Sequence, residues 1–187
     1  MRCSMKLTEK KESKCRVTYN GLAGCMNAGL WDLSIHKRDI TRIFYEGVSG
    51  IRTGWESKAA QDMKMKDNNF SPTFDHVLAP QTTAYFICDN WQKFQDFEEF
   101  RKIYITASQV CAVTSYENNE LKKWTGKNSS IVFCPINERY DRCGIRLYHK
   151  KVGWNDTHLD TPFHYPFDIP EGYLEYEAKT LLQEKEV

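Results

Sequence analysis

The stretch Thr73-Phe74-Asp75-His76-Val77-Leu78-Ala79-Pro80-Gln81 decides how the rest of this chain is read. Thr73 to Leu78 has the β-branched and aromatic content of a short strand, and Ala79-Pro80 ends it. Pro80 suits the first position of a helix, in which Ala84, Ile87, Cys88 and Trp91 line one face. A short polar connection over 90–96 leads to a second helix marked by Phe97, Phe100 and Tyr104. Gln109 to Thr114 then reads as a strand, and Thr114-x-x-Glu117 has the form of a capping box that opens a helix through Leu121 to Trp124. The order is strand, two helices, strand, helix.

Outward from this centre the pattern is looser. Residues 1–20 are polar and Lys-rich and read as a poorly ordered arm, and Gly21, Gly24 and Gly29 as a loop. Asp39 is placed to cap a helix carrying Ile40, Ile43, Phe44 and Val48, which Gly47, Gly50 and Gly54 end or interrupt. Beyond the centre, Ile131–Cys134 and Gly144–Tyr148 read as strands, Thr161–Tyr173 as a Pro- and aromatic-rich wrapping segment, and Glu171–Glu184 as a closing helix. Three segments result: a basic, partly helical region at 1–69, a core at 70–125, and a C-terminal part at 126–187 in the same compact unit.

The 187 residues suit one domain with appendages, and the 13% aromatic content supplies core material. A net charge of +1 excludes a uniformly basic nucleic-acid coat and an acidic disordered chain alike. The total is a cancellation. Residues 1–74 carry 13 basic against 8 acidic side chains, 75–125 carry 5 against 7, 126–155 carry 6 against 2, and 156–187 carry 2 against 8. Two basic flanks around a mildly acidic centre suit an enzyme that grips a polyanion and holds a cation between carboxylates; ordinary solvated faces give the same pattern.

No stretch approaches the roughly 20 apolar residues of a membrane span, so no membrane partner is expected. The start lacks the apolar run of a secretory signal, and a cytoplasmic location is expected. The seven cysteines are odd in number and contain no C-x-x-C pair, so they read as reduced and structural.

Hydrolysis of a phosphodiester needs a base for water and positive charge at the phosphate. Asp75 and His76 are neighbours where a strand ends, and a turn there lets both converge on one substrate. Asn118, early on the helix after the second strand, adds an amide oxygen suited to a hard cation. With Cys111-Ala112-Val113-Thr114-Ser115-Tyr116-Glu117-Asn118-Asn119-Glu120-Leu121, these residues resemble the HNH (His-Me finger) endonucleases, and among them small phage-encoded proteins. The resemblance covers about residues 70–125.

It implies an α+β fold with a ββα-metal core, a helical insertion and flanking strands. His76 would be the catalytic base, and Asp75 and Asn118, or Asn119 in a shifted register, would hold Mg²⁺ or Mn²⁺. DNA would be the substrate, and for a phage protein the host cytoplasm the location. No His follows Asn118 on the predicted helix; Lys122 stands one turn on, suited to phosphate. Arg139, Arg142, Arg146, Lys150 and Lys151 form the expected backbone-gripping edge. A non-catalytic nucleic-acid-binding or host-interaction protein on the same fold is the competing reading, and an unrelated interaction protein is a third.

Overall fold

The computed structural model describes residues 7–124, 134–149, 153–154 and 165–183. The elements run α1 (Glu9–Asn27), a 3-10 turn (Leu30–Asp32), α2 (Ser34–Gly47), β1 (Ile51–Ser57), α3 (Lys58–Lys66), β2 (Thr73–His76), α4 (Pro80–Asp89), α5 (Trp91–Phe94), α6 (Phe97–Ser108), β3 (Gln109–Val113), α7 (Ser115–Lys122), α8 (Arg139–Arg142), β4 (Leu147–His149), β5 (Gly153–Trp154) and α9 (Tyr173–Gln183). The chain is a mixed α+β protein. Among the described residues no helix is long and apolar enough to cross a membrane.

Contacts divide the chain into two compact units that cut across the three sequential segments expected: residues 1–51 with 78–108, and 52–77 with 109–187. The first unit is helical. Ile40 and Phe44 of α2, Ala84, Ile87 and Cys88 of α4, and Phe100, Ile103, Tyr104 and Ala107 of α6 fill its interior, at the helical spacing that buries one stripe. Residues 9–20 of the expected arm are instead the body of α1, which buries Cys15, Thr18 and Leu22, and residues 1–6 lie outside the described residues. Packing overrides the low apolar content here, and two of the glycines read as breaks, Gly21 and Gly47, are contact points. A Cβ on Gly47 would lie 2.1 Å from Thr18 Oγ1, and one on Gly21 3.1 Å from Ile43 Cγ2, so both let α1 and α2 approach closely. α2 starts at Ser34, five residues before the expected cap at Asp39.

The second unit contains a five-stranded sheet in the order β2-β3-β1-β4-β5. β2 and β3 are antiparallel, with Asp75 opposite Cys111 and His76 opposite Val110. β4 pairs antiparallel with β1 and with β5. The capping box forms as read: Thr114 Oγ1 accepts the Glu117 amide at 3.1 Å, and Glu117 Oε2 accepts the Thr114 amide at 2.8 Å. The same Oε2 accepts the Ser57 hydroxyl at 2.6 Å, tying the end of β1 to α7, which packs against β2.

β1 and α3 were not foreseen, because Gly54 masks the strand; it sits at φ +87° and leaves room for His149. β4 begins three residues later than expected, and most of the strand expected at 131–134 lies outside the described residues. Of the described cysteines, Cys15, Cys88, Cys111 and Cys134 are buried, and all are free thiols. Burial pushes the Cys15, Cys88 and Cys111 thiols up to about 12, which keeps them protonated and inert.

Candidate functional site

The last turn of β2 gathers the chemistry. Successive strand residues point to opposite faces, and β2 stays paired through His76, so Asp75 and His76 do not converge as a turn would have allowed. Asp75 is buried at 9% exposure opposite Cys111, while His76 is half-buried opposite Val110.

On the Asp75 face, Oδ2 accepts Arg139 Nη2 at 2.7 Å and the Tyr140 hydroxyl at 2.5 Å. The same Arg139 nitrogen reaches the His76 carbonyl at 3.0 Å, and Tyr165 donates its hydroxyl to the Val77 carbonyl at 2.6 Å. Burial works against the Arg139 charge, yet Asp75, with Tyr140, Tyr165 and Glu177 around it, holds the guanidinium above its ordinary range. Burial first, and Asp75 second, push the Tyr140 hydroxyl well up, so it stays a donor. Glu177 on α9 is 2% exposed and accepts the Ile136 amide at 3.1 Å. Burial raises its carboxyl to about 7, opposed by that hydrogen bond and by Arg139.

This arrangement corrects the expectation for Arg139, which was placed on a DNA-gripping edge and is instead 4% exposed and paired inside the protein. Arg142 and Arg146 are less buried, and each has a carboxylate neighbour: Glu138 at 3.7 Å from Arg142 and Asp141 at 2.6 Å from Arg146. Lys122 and Asn119 are exposed on α7, and Asn118 is half-buried there. Lys150 and Lys151 lie outside the described residues. His149 packs inward, with its ring 5.1 Å from that of Trp55 and Nε2 3.2 Å from the Thr53 carbonyl.

Asp75 does not fit the cation-holding role. Its Oδ2 is taken by two donors, and a guanidinium already neutralises it in a buried setting where a second positive charge is strongly disfavoured. Among the described residues no group of three or more His, Cys, Asp or Glu side chains is placed to hold a metal ion.

On the other face of β2, alternation puts Phe74 beside His76. The exposed Arg52 of β1 lies over the Phe74 ring at 4.7 Å, which puts a cation on the strand face that Phe74 and His76 share. Arg52 was passed over in the sequence because Gly50 and Gly54 on either side of it were read as ending or interrupting a helix. Tyr140, Tyr165 and Glu177 were also missed. The Asp75 partner lies 64 residues away, and no local spacing announces it.

Comparison with protein-family models, curated proteins and solved structures finds no match for this chain.

Proposed function

We propose that the chain hydrolyses phosphodiester bonds in DNA, with His76 taking a proton from the attacking water. One observation carries the reading: β2 and β3 are antiparallel, α7 follows directly and packs against β2, and His76 closes β2 while Asn118 sits on α7. That is the ββα order in which the resemblance places its base and its amide. Arg52, over the Phe74 ring on the strand face shared with His76, is a cation available to a phosphate. No step is assigned to Asp75.

A non-catalytic nucleic-acid-binding or host-interaction protein on the same scaffold is the second reading. The observation favouring it is the Asp75–Arg139 pair, which removes the carboxylate that a metal-dependent enzyme of this type would use.

Cleavage of labelled duplex and single-stranded DNA with Mg²⁺, Mn²⁺ or a chelator, by wild type and His76→Ala, separates the two. Cutting by wild type that the variant lacks supports the first reading. Equal cutting by both removes His76 from the chemistry. Salt-sensitive binding without cutting moves the assignment to the second reading.

A further inference from the structure

We infer that Arg139, Tyr140 and Tyr165 are positioning residues for His76, and that Asp75 is their anchor. The inference rests on the reading of His76 as the base. Three consecutive residues, Asp75, His76 and Val77, each accept a buried or half-buried side-chain donor from far along the chain. A strand end is ordinarily the loosest part of a hairpin, because its ladder stops there. Here the Val77 amide still reaches the Gln109 carbonyl at 2.9 Å, and the carbonyls of His76 and Val77 are held by Arg139 and Tyr165.

The Arg139 fork is the central part. One nitrogen spans the Asp75 carboxylate and the His76 carbonyl, so the guanidinium fixes the backbone of the base through its neighbour's side chain. Tyr140 donates to the same Oδ2, which holds the carboxylate in the rotamer that meets Arg139. A base must be held within a fraction of an ångström to act. In this structure hydrogen bonds from side chains supply the restraint that further strand pairing would otherwise give.

The test uses the full chain with its histidine rings labelled with carbon-13. The His76 Cε1–H resonance is assigned by its loss in His76→Ala and compared at one fixed pH in wild type, Tyr165→Phe and Arg139→Lys. Tyr165→Phe deletes one hydroxyl, and Arg139→Lys keeps the charge but loses the planar guanidinium that sets the direction of both bonds. Both variants are expected to shift and broaden the His76 signal, while the Trp31 indole signal of the other unit stays in place. Where wild type cleaves DNA, kcat is expected to fall about tenfold or more with DNA affinity unchanged.

A His76 signal that superimposes on wild type in folded Tyr165→Phe overturns the inference, whether or not Arg139→Lys folds. The resonance is read without any cleavage, so an inactive wild-type protein refutes the nuclease reading and leaves this result standing.

Discussion

Replacing Arg139 by Met is the sharpest perturbation of this protein's interior. The side chain is 4% exposed, and among the described residues its removal leaves the buried Asp75 carboxylate with the Tyr140 hydroxyl as donor. Breaking one half of a buried ion pair costs about 3–5 kcal/mol, because the surviving charge stays desolvated. For a chain of this size each kcal/mol moves the melting temperature by roughly 2–4 °C, so Arg139→Met is expected to melt about 10 °C below wild type. The companion Asp75→Leu/Arg139→Met variant removes both charges and is expected to recover most of that loss, since an apolar pair of similar volume is often neutral or better. Thermal unfolding followed by far-ultraviolet circular dichroism reads all three. Arg139→Met melting within about 2 °C of wild type, or a double variant no better than the single one, would refute the buried-pair account.

Glu177 gives a pH signature. Its carboxyl titrates near 7 in the folded chain and at the ordinary 4.5 when unfolded, so the folded state holds the proton more tightly. The stability this group contributes is therefore fully present below about pH 4.5 and is lost as pH rises through 7, about 3 kcal/mol in all. A Glu177→Gln variant is expected to flatten that slope in melts taken from pH 4.5 to 8. Gly47→Ala places a Cβ against Thr18 and is expected to cost about 1–3 kcal/mol by overpacking, read by urea unfolding. Thr114→Ala removes the capping hydroxyl of α7 and is expected to cost about 1 kcal/mol; the same unfolding series checks it.

What the sequence made legible was local. The Thr114 capping box, the Pro80 start of α4 and the stripe through Phe100 and Tyr104 each rest on residues within a turn or two, and each forms where it was read. α1 was missed because its buried residues are few, Cys15, Thr18 and Leu22, and its stability comes from packing against α2 and α6, which no internal pattern records. Ile51–Ser57 was hidden by a glycine that serves a packing role for His149. The candidate site divides in the same way. Asp75 and His76 stood out as a pair, but whether the carboxylate faces a substrate or an arginine depends on residue 139. A basic residue among basic neighbours reads as a surface contact until its partner across the fold is seen.

The order of the chain has a consequence for synthesis. β2 leaves the ribosome before β3, and the helical stretch 78–108 that separates them belongs to the other unit. The helical unit therefore has all its sequence while the sheet unit still lacks β3, α7 and Arg139. Until residue 139 emerges, Asp75 lacks the counter-charge that Arg139 gives it among the described residues, and the end of β2 lacks that guanidinium's hold. Domains generally fold as units as the chain is made, so a stalled or truncated product ending near residue 110 would carry a complete helical unit and an unpaired β2. Such a fragment presents a bare strand edge, the feature through which chains associate wrongly.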